Sequence, residues 1–122
     1  MKKILITLLI LPNIIFAQTN RELSPKDFQA RLTDQNSVLL DVRTPGEFKG
    51  GHIDKAVNKN IFDPDFDSYS TKLDKGKTYF VYCLSGKRSH NAAEQMRKKG
   101  LKVYELKGGL ESWTGAKLPL TR

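Results

Sequence analysis

Thr78-Tyr79-Phe80-Val81-Tyr82-Cys83-Leu84-Ser85-Gly86-Lys87-Arg88 is the stretch that decides the fold of this chain. Its first five residues are β-branched or aromatic, the composition of a short strand buried in a parallel sheet. Such a strand delivers Cys83 to the carboxyl edge of the sheet, where open α/β folds place their ligands. The residues that follow supply backbone N–H groups, a permissive glycine at Gly86 and two cations, Lys87 and Arg88. A helix over 89–99 then points its positive end back at the sulfur. Each feature favours a thiolate over a thiol, and the thiolate is the reactive species. The stretch suits an anionic sulfur with an anionic substrate beside it.

The flanking sequence supplies the rest of an α/β domain. Ser24-Pro25-Lys26-Asp27 starts a helix: Ser24 caps it, Pro25 suits the first turn and Asp27 the positive end. Phe28 and Leu32 share a face of that helix, which is expected to end near Asp34. Residues 38–42 form a second buried strand. Thr44-Pro45-Gly46 is a turn, 47–49 one helical turn, 50–53 a loop and 56–58 a brief strand. A helical stretch opens at Asp63-Pro64, with Phe66, Tyr69 and Leu73 on one side. In the helix over 89–99, Ala92, Ala93 and Met96 face inward, Arg97, Lys98 and Lys99 sit at the negative end, and Gly100 stops it. A strand over 101–106 follows, then a short helix opened by Gly108-Gly109 and carrying Leu110 and Trp113. Residues 18–23 read as a polar lead-in. Strands alternating with helices imply a parallel sheet covered on both faces.

Residues 1–17 have a basic start (Lys2, Lys3), a short apolar run and Ala17 before a polar residue, the pattern of a signal peptide cleaved after Ala17. An uncleaved N-terminal anchor is the rival. The apolar run is too short and interrupted for a comfortable membrane span. The expected mature domain is therefore 18–122, exported, with no membrane attachment after cleavage, and the short Lys- and Ile-rich leader points to a bacterial periplasm. Losing Lys2 and Lys3 lowers the formal charge from +8 to +6. The cations are scattered without aromatic interleaving, so no nucleic-acid platform is expected. Exported chains use cysteines in pairs, so a single cysteine marks a reactive thiol or an intermolecular bridge. Its loop favours the reactive thiol. A domain this small is expected to be a monomer.

Five motifs together resemble one family: Asp41-Val42-Arg43; Glu47; Gly51-His52-Ile53; Tyr82-Cys83 with Gly86, Arg88 and Ser89; and Gly108-Gly109-Leu110 with Trp113. Their order and spacing are similar to those of the single-domain rhodanese sulfurtransferases, across essentially the whole mature chain. The resemblance implies an α/β, rhodanese-like fold with a five-stranded parallel sheet and helices on both faces. It also implies that Cys83 accepts a sulfane sulfur from a small anionic donor such as thiosulfate or a persulfide. The persulfide then passes its sulfur to a thiophilic acceptor, cyanide or a thiol. No cofactor is expected, and the two histidines with one cysteine do not compose a metal site. In an oxidising compartment, a thiol reductant or protein acceptor is expected to keep Cys83 in use.

The loop 84–88 is the expected donor site. Lys87 is read as the substrate cation, Arg88 as either substrate contact or brace, Gly86 as the residue that lets the loop close, and Leu84 and Ser85 as minor parts. Asp41 and Arg43 are supporting residues, read as structural, with Arg43 paired to Glu47. His52 is expected to be structural, His90 partly exposed and Trp113 packed in the core. Two rivals remain open. One is a persulfide carrier serving a protein partner. The other is a related Cys-dependent phosphatase or arsenate reductase, whose loop is one residue longer than the Cys-x4-Arg of Cys83 to Arg88.

Overall fold

The computed structural model describes Ile4 and residues 21–122. The expected signal peptide lies, Ile4 apart, outside the described residues. Among the described residues ten elements follow in order: β1 (Glu22–Leu23), α1 (Pro25–Arg31), β2 (Ser37–Asp41), α2 (Pro45–Gly50), β3 (Val57–Asn58), α3 (Phe66–Thr71), β4 (Thr78–Tyr82), α4 (Lys87–Lys98), β5 (Lys102–Leu106) and α5 (Gly109–Gly115). The strands form one sheet in the order β1-β5-β4-β2-β3, and every neighbouring pair is parallel. The fold is α/β with a five-stranded parallel sheet, as the motifs imply.

Alternation along β4 divides the core in two. Tyr79, Val81 and Cys83 pack with Phe66 of α3 and with Ala92, Ala93 and Met96 of α4. Phe80 and Tyr82 pack on the other face with Phe28 of α1 and with Leu110 and Trp113 of α5. Phe28 meets Phe80 and Trp113 edge-on, at centroid distances of 5.6 and 6.4 Å. Every apolar side chain of β4 is therefore buried on one face or the other, which is why that stretch reads so clearly in the sequence.

Several boundaries differ from expectation: the strands by at most one residue at an end, α2 by starting at Pro45 inside the expected turn and running to Gly50, and four others more tellingly. Residues 22–23 are not lead-in but β1, an edge strand of two residues. Its pairing to β5 rests on backbone bonds, Glu105 N–H to Arg21 O and Lys107 N–H to Leu23 O, which no two-residue side-chain pattern announces. Helix α1 is capped by Ser24 as expected, yet ends at Arg31 rather than near Asp34. Helix α3 opens at Phe66 instead of Asp63, after a turn in which Phe66 N–H reaches Asp63 O. Helix α4 opens at Lys87, two residues before the expected start, so both loop cations belong to its first turn.

Candidate active site

Cys83 follows β4 directly and is fully buried. Its Sγ accepts hydrogen bonds from Gly86 N–H at 3.1 Å and from Ser89 N–H at 3.3 Å. The loop can turn this tightly because Gly86 stands at φ 109°, a backbone state that side-chain-bearing residues rarely adopt. Ser89 N–H is one of the first-turn donors that a helix cannot satisfy internally, and here the sulfur satisfies it. Sulfur accepts such bonds better as an anion, and α4, at 12 residues, adds its positive end.

Helix α5 forms the wall behind the loop. Leu110 N–H donates to Cys83 O at 2.8 Å and Glu111 N–H to Leu84 O at 3.0 Å. A Cβ on Gly109 would come within 2.5 Å of Leu84 O, so the approach needs glycine there. Both carbonyls are thus turned back toward α5, and two N–H groups of the turn, those of Gly86 and Ser89, are directed at the sulfur. Among the described residues, no protein acceptor takes up the N–H groups of Leu84, Ser85, Lys87 or Arg88. Leu84 and Ser85 are exposed at the rim, and Lys87 extends into solvent outside every ion pair of the described residues.

Arg88 is a brace. Its Nη1 and Nη2 donate to Oε1 and Oε2 of Glu47 at 2.8 and 2.9 Å, a bidentate clamp between α4 and α2. Glu47 is held in turn by a capping box with Thr44. The Arg88 hydrogen bonds, more than any other influence, bring the Glu47 carboxyl down to about 2 from its ordinary 4.5. Glu47 in turn raises the Arg88 guanidinium.

The expected Arg43–Glu47 pair is therefore replaced by two others. Arg43 binds Asp41, with Nη2 to Oδ2 at 2.7 Å and Nε to Oδ1 at 3.0 Å, and reaches Gly51 O at 2.7 Å. The physical reason is alternation. Asp41 and Arg43 stand two residues apart on one side of the extended chain, within reach of each other, while the capping box turns Glu47 toward Arg88. That side is the one Leu39 shares with Tyr82, opposite the face carrying Cys83. Both supporting residues are almost completely buried and do not enter the loop. Burial is the largest single influence and works against the Arg43 charge, but the Asp41 hydrogen bonds together with the nearby charge of Asp41, and lesser contributions from Tyr82 and Glu47, raise the guanidinium overall.

The remaining candidates are structural. His52 Nδ1 meets Phe48 O at 2.8 Å, and its ring stacks on Phe48 at 3.6 Å. His90 is half exposed, with Nδ1 3.0 Å from Glu105 Oε1. Trp113 is buried and donates to Pro119 O. Burial, and then the charge of Asp41, push the Tyr82 phenol well above its ordinary value, so it stays protonated beside the site. Two parts of the site escaped the sequence reading: the clamp role of Glu47 and the close-packing role of Gly109. The signal for Glu47 was present in Thr44-x-x-Glu47, a capping-box spacing.

Glu47→Gln tests the clamp. A carboxyl held below its ordinary value stabilises the fold fully above about pH 4.5, and that contribution disappears as pH falls toward about 2. After allowance for solvent screening, the substitution should cost about 1–2 kcal/mol at neutral pH and flatten the acid limb of stability between those limits. Urea unfolding at several pH values measures both. An acid limb unchanged in the variant would remove Glu47 as its source.

A protein-family model described as Rhodanese-like domain matches residues 24–116. An uncharacterized protein of Synechocystis is 36% identical over 106 residues, covering 86% of this chain and 58% of that protein. A protein named tRNA sulfurtransferase, from Pyrobaculum aerophilum, is 34% identical over 83 residues, covering 68% of this chain and 17% of its own length. The chain thus spans less than two thirds of both relatives. Among solved structures, a rhodanese-related protein of Thermoplasma volcanium superposes with a TM-score of 0.74 at 29% identity, covering 83% of this chain and 97% of the other.

Proposed function

The chain belongs to the rhodanese-like domain family, and from that premise we propose that it transfers a sulfane sulfur from a small anionic donor, thiosulfate by default, to a thiophilic acceptor. The observation that carries the proposal is that Cys83 Sγ, at the end of β4, accepts two backbone N–H groups of the turn that follows it, those of Gly86 and Ser89. The Cys83 thiolate attacks the outer sulfur of thiosulfate. A Cys83–sulfur bond forms, the donor S–S bond breaks, and sulfite leaves with the bonding pair. The new terminal sulfur carries the negative charge, and in this reading the loop N–H groups that have no acceptor among the described residues, those of 84, 85, 87 and 88, donate to it. Cyanide or a thiolate then attacks that sulfur and releases Cys83 as thiolate. Two covalent steps replace one difficult transfer, and neither requires a general base.

Lys87 has the substrate role in this scheme, because the Arg88 terminal nitrogens are committed to Glu47. Lys87→Ala should raise KM for thiosulfate about 10-fold and change kcat much less, since the lost attraction acts mainly in binding. Steady-state kinetics at constant ionic strength measure this. A kcat loss as large as the KM rise would move Lys87 into the chemical step. The same commitment of Arg88, with the Cys-x4-Arg spacing, weakens the phosphatase reading, in which the arginine must hold a tetrahedral oxyanion.

The deciding experiment is the intact mass of the protein before and after thiosulfate. Gain of one sulfur atom, reversed by cyanide and absent from Cys83→Ser, supports the proposal. No gain with thiosulfate, polysulfide or glutathione persulfide would defeat it. Slow turnover of thiosulfate with rapid delivery to a protein thiol would identify a carrier. The leader-like residues 1–17 extend the proposal to an exported, periplasmic protein kept active by a thiol reductant, which cell fractionation tests.

A further inference from the structure

Helix α2, which carries Glu47, buries none of its side chains. A helix of six residues has no independent stability, and this one has only Phe48, half-buried against the His52 ring, as an apolar contact. Its place is set at its two ends. At the first, the capping box and the Arg88 clamp hold it. At the second, Gly51 N–H and His52 Nδ1 converge on Phe48 O, and Arg43 reaches Gly51 O.

Residues 118–122 close over that second end. They are tied to the core where the buried Trp113 donates Nε1–H to Pro119 O at 2.9 Å and receives Leu118 N–H on its carbonyl at 3.2 Å. They then form an antiparallel bridge with the loop after α2. His52 N–H donates to Thr121 O at 2.9 Å, and Thr121 N–H to His52 O at 2.8 Å. The Leu120 side chain covers Gly51, where an added Cβ would meet its Cδ1 at 3.4 Å. A continuous path of hydrogen bonds and packing thus runs from Trp113 through 118–121 to His52, Phe48 and α2.

We infer that residues 118–122 are a positioning strap for the active site: by fixing α2 from its far end they hold the Glu47 carboxylate on Arg88 and, through Arg88, the first turn of α4 around Cys83. Thr121 and Leu120 are positioning residues: their contacts are with His52 and Gly51, outside the active loop. The consequence for rate rests on the sulfur-transfer reading, whereas the hold on Glu47 does not.

The test compares the full chain with a chain ending at Pro119, and with Leu120→Gly and Thr121→Val in the full chain. The readout is the titration of the Glu47 side-chain carboxyl by carbon NMR, with circular dichroism to confirm folding. Ending the chain at Pro119 should move the Glu47 midpoint from about 2 toward 4.5, as the clamp loosens. Leu120→Gly should move it the same way to a smaller extent, and it answers the question alone if the shorter chain does not fold. Thr121→Val keeps both backbone bonds and should titrate like the parent. The rate of persulfide formation should fall about 10-fold in the chain ending at Pro119. A Glu47 midpoint unmoved in the folded variants overturns the strap. A moved midpoint in a protein that never takes up sulfur keeps the strap and defeats the sulfur-transfer reading instead.

Discussion

Cys83→Ser should abolish sulfur uptake and lower sulfur-transfer turnover by at least ~1000-fold, while leaving the fold in place. The side chain is fully buried, but the substitution is nearly isosteric, and a serine hydroxyl can still accept the Gly86 and Ser89 N–H groups. Stability should therefore change by no more than about 1 kcal/mol. What is lost is the nucleophile. A hydroxyl at neutral pH is not ionised, and oxygen does not form the sulfur–sulfur bond that stores the transferred atom. Intact mass, thiosulfate:cyanide turnover and thermal unfolding together make the comparison. Residual turnover above a few per cent would mean that the chemistry does not pass through Cys83. A collapse of stability would mean that the sulfur is primarily a packing element.

Arg43→Ala should be the most destabilising of the substitutions considered, at about 3–5 kcal/mol, with no residue of the active loop touched. Asp41 is completely buried, and Arg43 supplies three of its side-chain hydrogen bonds and its counter-charge. Removing the guanidinium leaves a carboxylate in the interior with no counter-charge, held by the Arg43 backbone N–H and the neighbouring Tyr82 phenol. It also removes the donor that ties Gly51 O to the sheet edge. For a domain of this size the unfolding temperature should drop by roughly 12–20 °C. Asp41→Asn combined with Arg43→Met removes both charges and should recover part of the loss, because the cost lies in the orphaned charge more than in the missing attraction. Urea unfolding of the three proteins decides it. A loss below 1 kcal/mol in Arg43→Ala would show that water or a neighbour satisfies Asp41.

The legible part of this protein was the part where side-chain chemistry repeats along the chain. Residues 78–82 read as a buried strand because both faces are covered and every apolar side chain is needed. Ser24, Pro25 and Asp27 announced α1 because an N-terminus carries its own local signal. The position of Cys83 at the carboxyl edge followed from the strand, the glycine and the helix in sequence. Strand β1 was not legible, since two residues carry no period and their pairing to β5 is made by backbone atoms. The early start of α4 was hidden for a related reason: polar Lys87 and Arg88 resemble loop until the turn is seen to be helical.

Partner choice was the other hidden part. Arg43, Asp41, Glu47 and Arg88 are two anions and two cations close in the motif order, and several pairings are chemically acceptable. Sequence by itself determined the fold class and the placement of one thiol at the end of a buried strand, because these depend on local propensity, periodicity and glycine positions; the family was legible only through the resemblance of its motifs. Tertiary structure alone decided which arginine braces the loop, and that Asp41 and Arg43 lie on the face away from Cys83. Those outcomes depend on which side of a strand each residue faces and on how two distant helices meet. That geometry is set by packing across the sheet, over distances that no local pattern spans.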